Sequence, residues 1–210
     1  MNPGKQFEKD WKASMPDNVY YHRLNDPAQS FAPTGETRFS LQNPFDCIVY
    51  RYPNLFCFEL KSTKGSSLTF WREDFKEKSF MIKKVQINGL HNAALHDGAV
   101  AGLVVNFRSV ARTYFIDIDS FISYTSVLNK KSVNEDDVIA AGGIIIGQRQ
   151  LKVNYRYDVE GLLNVTAGRQ RDQRAGTADN TGGSISDGTA ETKNRRTGKK
   201  SKTVREQERE

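Results

Sequence analysis

No stretch of the 210 residues is apolar for long enough to cross a membrane, which sets a bilayer partner aside. Cysteine is nearly absent. The two thiols, Cys47 and Cys57, decide little but fit a reducing, cytoplasmic setting. Histidine is scarce too, and His22, His91 and His96 lack any spacing that suits a metal. Beyond residue 163 large apolar side chains all but disappear. That segment, rich in Gly, Thr, Asn, Arg and Lys, cannot bury enough surface to offset its ordering and is expected to be disordered. The expected organisation is therefore a folded domain over 1–163 and a basic tail over 164–210. The start, Met1-Asn2-Pro3-Gly4-Lys5, is expected to lead into a polar helix rather than a signal peptide.

What the chain does carry is positive charge, a formal +6 with a pI near 9.3. The tail holds eleven Lys/Arg against seven Asp/Glu, a net of +4, which leaves +2 for the first 163 residues. Such a balance favours a polyanionic partner and is equally compatible with a soluble protein that has none. Within the tail, Arg195-Arg196-Thr197-Gly198-Lys199-Lys200-Ser201-Lys202 is either a phosphate-contacting patch or a solubilising run.

One stretch breaks a packing rule. Residues 43–62 read as two apolar strands around a turn at Pro53-Asn54, yet they hold Asp46, Glu59 and Lys61. An unpaired buried carboxylate costs several kcal/mol or is forced neutral. With that turn, Tyr52 pairs with Leu55, Asp46 faces Lys61 and Ile48 faces Glu59. Period-two alternation then collects Asp46, Ile48, Glu59 and Lys61 on one face, with Asp46 and Glu59 as diagonal neighbours roughly 7–8 Å apart. The other face receives Cys47, Val49, Phe56, Phe58 and Leu60. The cysteines thus fall on opposite faces and should not pair.

Helix signals flank this hairpin. Asn2-Pro3 starts a helix with Phe7, Trp11 and Met15 at helical spacing and Pro16 beyond it. Glu8 borders that apolar side. A strand over 19–24 and a long polar stretch over 25–42 follow. A short strand over 68–71 is expected next, then a helix over 83–96 with Val85, Leu90, Ala93 and Ala94 as its apolar stripe and Gln86 beside Leu90. Lys83 and Lys84 at its start oppose the helix dipole, which suits a phosphate ligand. Residues 100–107 read as a strand buried on both faces, and 113–118 as another, with Asp117 and Asp119 as cap and turn residues. Helices are expected over 120–128 and from the Ser132-Val133-Asn134-Glu135 capping signature to 141. Strands over 144–146 and 151–157 and a last helical turn over 158–163 complete the domain. The class is α/β, a mixed central sheet flanked by helices. Arg23, Arg38, Lys64, Lys83 and Lys84 are the candidate DNA-contacting cations.

An Asp, a spacer and then Glu-x-Lys resembles the PD-(D/E)xK nucleases, through Pro44-Phe45-Asp46 and Glu59-Leu60-Lys61. More narrowly, the first 160 residues or so resemble the RecU-type Holliday junction resolvases, as a phage-borne or divergent relative. The resemblance rests on Gly4-Lys5-Gln6-Phe7-Glu8, the Asp46 strand and Glu59-Leu60-Lys61-Ser62-Thr63. It continues through 82–90 with Gln86 and Leu90, the 102–107 strand and Tyr114-Phe115-Ile116-Asp117. It implies a restriction-endonuclease-like core. It also implies Mg²⁺, with Mn²⁺ as a substitute, held by Asp46, Glu59 and the Leu60 carbonyl, with Lys61 positioning the attacking water. Glu8 would be an auxiliary acid and Gln86 a support for the site. The activity implied is paired nicking of four-way DNA junctions in recombination and repair. It would be performed by a homodimer, in a bacterial cell or a phage's host, with a host recombinase as a candidate partner. The chain departs from the family at 25–42, which is short for the junction-entering stalk, and at Val85, where many relatives carry His; junction selectivity hangs on both. Cleavage of flaps, ends or restriction sites, and DNA binding without cleavage, are the alternatives.

Overall fold

The chain starts as its sequence dictates. Asn2 caps the first helix, its side chain accepting from the Gly4 amide at 2.9 Å, and Pro3 takes the first turn. This helix, α1 (Pro3–Lys12), turns Phe7 and Trp11 into the core. The computed structural model describes residues 2–24, 42–75 and 79–178. After α1 come β1 (Tyr20–Arg23), β2 (Cys47–Arg51), β3 (Asn54–Thr63), β4 (Ser67–Thr69), α2 (Lys84–Ala94) and β5 (Ala99–Phe107). The second half holds β6 (Arg112–Asp117), α3 (Ile118–Ser126), β7 (Ser132–Asn134), α4 (Glu135–Ala140) and β8 (Ile144–Ile146). The short strands β9 (Gln148–Gln150) and β10 (Tyr155–Tyr157) then lead into α5 (Val159–Ala178). No helix among the described residues is long and apolar enough to cross a membrane.

A six-stranded sheet in the order β1-β2-β3-β5-β6-β8 forms the centre. All its neighbours run antiparallel except β3 and β5, which are parallel, with α2 lying in the crossover between them. The expected α/β class, a mixed central sheet between helices, is therefore what the chain adopts. The apolar run at the centre behaves as its composition requires, for every residue of β5 is buried.

Strand alternation divides the interior into two cores. On one face Cys57, Ala101, Leu103 and Val105 pack with Ile87, Leu90 and Phe121 from α2 and α3. On the other, Cys47, Val49, Phe56, Phe58 and Leu60 pack with Phe7 and Trp11 of α1 and with Leu162, Leu163 and Ala167 of α5. The two cysteines do fall on opposite faces, and neither is in a disulfide. Burial pushes both thiols up, Cys57 to about 11, so they behave as core residues rather than nucleophiles.

Several expectations are corrected. The chain does not lose structure at 163: α5 continues to Ala178, and Thr166 and Ala167 are buried. Leu162 and Leu163 anchor the helix from within the expected domain, and Ala167 carries the anchor into the segment whose polar average hides it. The α2 stripe uses Ile87, not Val85, beside Leu90. The capping box belongs to Asn134 and Asp137, two residues later than the Ser132 signature, because 132–134 are drawn into a ladder with β4. Asp117 caps α3 as anticipated, accepting from the amides of Asp119 and Ser120. The polar stretch over 25–41, with Arg38, and the Arg195–Lys202 patch of the tail lie outside the described residues.

Candidate active site

The β2–β3 turn differs from the expected one, and the difference sharpens the site. Arg51 pairs with Asn54, so Tyr52 and Pro53 make the turn, with a cis Tyr52–Pro53 peptide. Proline thus takes the second central position, where a cis X-Pro bond belongs, rather than the first. The ladder is displaced by two residues from the expected register. A displacement of one would have turned every side chain over; two leaves each on its expected face. The observed pairs end at Cys47 and Phe58; there Asp46 leaves the regular ladder, its amide bonding to the Phe58 carbonyl, and its carboxyl lies against that of Glu59 rather than facing Lys61. The two carboxylates are thus cross-strand neighbours.

Backbone geometry locks them together. The Asp46 amide donates to the Phe58 carbonyl at 3.1 Å, and the Leu60 amide donates to Asp46 Oδ2 at 2.8 Å. In an antiparallel ladder a residue's N–H and C=O leave by the same edge, so the Leu60 carbonyl also projects on the β2 side, past the end of that strand.

Glu59 is the unusual group. It is 1% exposed, on the face that α2 covers. Its Oε1 accepts from Lys61 Nζ at 2.8 Å and from Gln86 Nε2 at 2.5 Å. The Gln86 amide is oriented from its other end, because its Oε1 accepts from the Lys83 amide at 2.9 Å at the start of α2. One helix N-terminus therefore fixes the carboxylate plane. Glu59 Oε2 is buried and has no hydrogen-bond donor among the described residues. Desolvation raises the Glu59 carboxyl from 4.5 to about 7; the Lys61 ammonium opposes this and the Asp46 carboxylate adds to it.

A buried carboxyl oxygen facing the Asp46 carboxyl is a place where a shared proton or a divalent cation can sit. Among the described residues no three His, Cys, Asp or Glu side chains converge on one point. Asp46, Glu59 and the Leu60 carbonyl are the groups able to hold a divalent cation.

Gly89 positions this arrangement and was not singled out from the sequence for that role. A Cβ there would lie 2.3 Å from Pro44 Cβ and 2.8 Å from the Pro44 carbonyl oxygen. The helix thus packs backbone-close against the turn that delivers Asp46. A glycine inside a helix costs about 1 kcal/mol, and that cost was the available signal of close packing. Gly89→Ala is expected to destabilise the domain by about 1–3 kcal/mol in urea titration. Any nuclease activity should fall more than the population of folded protein does, because the displacement reaches Asp46.

The remaining candidates are dispersed. Glu8 forms an ion pair with Arg23 at the end of β1, and Arg23 is paired in the ladder with Cys47. Glu8 thus sits near the Asp46 end of the sheet but comes from α1, which packs on the face opposite Glu59. Arg23 is engaged with that carboxylate rather than held out for a phosphate. Lys64 and Lys83 are exposed, and Lys84 Nζ lies 4.4 Å above the Trp71 ring. Lys83 and Lys84 stand one turn or less from Gln86 and so border the site.

No protein-family model matches the chain. Over 169 residues it is 30% identical to the SPbeta prophage-derived uncharacterized protein YotM of Bacillus subtilis (strain 168), an alignment spanning 74% of this chain and 82% of that protein. Among solved structures it is similar to Hjc, a Holliday junction resolvase from the archaeal hyperthermophile Archaeoglobus fulgidus. The TM-score is 0.41 and the identity 16%, over 68% of this chain and 95% of that one.

Proposed function

The chain belongs to the family of the SPbeta prophage-derived protein YotM, and we propose that it is a metal-dependent DNA endonuclease of the PD-(D/E)xK type that nicks four-way junctions. The observation that carries this reading is the juxtaposition of Asp46, Glu59 and Lys61, with a buried Glu59 oxygen left without a donor. Lys61 and Gln86 occupy one Glu59 oxygen, and the other faces the Asp46 carboxyl, where an oxygen-seeking cation would bridge the two.

The residues divide the work. Asp46 and Glu59 present the anionic oxygens, and the Leu60 carbonyl adds a neutral one. When bound, Mg²⁺ supplies an acidified water and offsets charge on the phosphate. Gln86 holds Glu59 in one orientation. Lys61, tethered to Glu59 Oε1, places an ammonium beside the attacking water, where it can orient that water and stabilise the developing charge. Lys83 and Lys84, exposed at the start of α2, would contact the DNA backbone. In-line attack on this pattern would leave 5′-phosphate and 3′-hydroxyl ends. A four-way junction is two-fold symmetric, so paired nicks call for two sites and hence a homodimer. The prophage-borne relative supports a phage origin, and the role proposed is recombination inside the host cell.

Substrate choice is tested by incubating the protein and Mg²⁺ with end-labelled four-way junction, linear duplex and flap DNA of shared sequence. Paired, symmetric nicks confined to the junction are the expected result. Equal cleavage of the duplex would make the protein a general endonuclease. Junction binding without cleavage of any substrate would contradict the enzymatic reading.

A further inference from the structure

Among the described residues α2 packs on β3 and β5, on the face of the sheet that carries Asp46, Glu59 and Lys61, while β1 and the outer end of β2 carry exposed side chains on that face. There the side chains are aromatic. Tyr20 and His22 point outward from β1, stacked with centroids 6.4 Å apart and planes within 2°. Tyr20 is paired with Tyr50, which is paired with Leu55, while His22 is paired with Ile48. Tyr20 is 63% exposed and Tyr50 43%. Their neighbours Tyr21 and Val49 turn to the opposite core, so strand alternation fixes the side on which the rings stand.

We propose that Tyr20, His22 and Tyr50 form a stacking platform for unpaired bases of the DNA strand held at the Asp46–Glu59 site. The inference rests on the nuclease reading above and names the substrate feature it selects. Three observations support it. First, platform and carboxylates share one sheet face, with Ile48 between them, so DNA lying on the carboxylates passes beside the rings. Second, the spacing suits nucleotides. At about 3.3 Å per residue along a strand and about 4.8 Å between strands, His22 lies roughly 8 Å and Tyr20 roughly 14 Å from Asp46 at the backbone. Those distances correspond to one and two nucleotides of an extended single strand. Third, the patch is aromatic rather than aliphatic, and ring faces bind bases of any sequence. Paired duplex hides its base faces and gains nothing here; junction centres, flaps and single strands expose them.

The test compares wild type, Tyr20→Ala, Tyr50→Ala, the double variant and the matching Tyr→Phe variants. Binding in Ca²⁺ is measured to single-stranded DNA, a four-way junction and a blunt duplex. A 2-aminopurine one or two nucleotides from the scissile phosphate reports stacking. Each Ala variant is expected to weaken single-strand and junction binding about tenfold, the effect of losing one base stack, and to leave the duplex unchanged. Quenching of 2-aminopurine should be lost with Ala and kept with Phe. Equal weakening on all three DNAs, or on none, overturns the platform. So does a change in sedimentation of the DNA-free Ala variants, which would make the face an interface between two copies of the chain. Failure of the platform alone leaves the wild type cleaving DNA in Mg²⁺; failure of the nuclease reading removes that cleavage, and a wild type that binds no DNA overturns both.

Discussion

Glu59→Gln is expected to make the metal-free protein more stable at pH 8 while lowering DNA cleavage at least about a thousandfold. The Glu59 carboxyl is raised from 4.5 to about 7 by burial. Below pH 4.5 both folded and unfolded chains carry the proton, and the group has no effect on stability. Between 4.5 and 7 the unfolded chain ionises first, so stability falls as pH rises, and above 7 the loss is complete. At 1.36 kcal/mol per pKa unit that loss is about 3 kcal/mol. Glutamine keeps the shape, keeps a carbonyl oxygen for Gln86 and removes the pH-dependent penalty, although Lys61 loses its ionic partner. A net rise of about 5 °C in melting temperature at pH 8, and none at pH 4, is expected by calorimetry without divalent ions. Mg²⁺ should raise the melting temperature of the wild type and leave the variant unmoved. A thousandfold loss in rate corresponds to about 4 kcal/mol, within what a cation contributes to a phosphoryl transition state. A variant less stable than wild type at pH 8 would show that Glu59 is a structural ion pair.

The second large effect lies on the opposite face. Trp11 is fully buried and meets Phe58 edge-on at 5.8 Å and Tyr157 at 5.8 Å. It ties α1 to the strand that bears Glu59. Trp11→Ala should cost about 3–5 kcal/mol in urea titration. Trp11→Phe should cost within about 1 kcal/mol of nothing. The indole Nε1 is buried without an acceptor among the described residues, and removing that orphan donor recovers about 1–3 kcal/mol against the lost packing. A Trp11→Phe loss as large as that of Trp11→Ala would show that the indole nitrogen has a partner. Below its melting transition Trp11→Ala should retain any cleavage, since the indole touches none of the site groups.

These outcomes bear on how much the sequence could disclose. Asp46, Glu59 and Lys61 stood out because charge interrupts an apolar hairpin, and their shared face survived a mistaken turn because the error was an even number of residues. The 100–107 strand was legible from its near-continuous apolar run. What tertiary contacts decide was less accessible. The Ser132 capping signature lost to strand pairing with β4, and the cap moved to Asn134. The continuation of α5 beyond 163 looked like tail because its anchor there, Ala167 beside Thr166, is diluted among polar residues. Gln86 was placed beside Leu90 by helical spacing, but its double use, to Lys83 and to Glu59, depends on α2 docking against β3. The platform of Tyr20, His22 and Tyr50 required the β1–β2 register, which no local pattern specifies.

The central claim is that Asp46 and Glu59 form a cation-dependent phosphodiester-cleaving site. The most direct measurement is the nicking rate of one labelled junction against Mg²⁺ concentration, for wild type and Asp46→Ala with matched circular dichroism. The account predicts a saturable rise with Mg²⁺, products carrying 5′-phosphate, no cleavage in EDTA and none by the variant. Cleavage that persists in EDTA, or in Asp46→Ala at the wild-type rate, would contradict it.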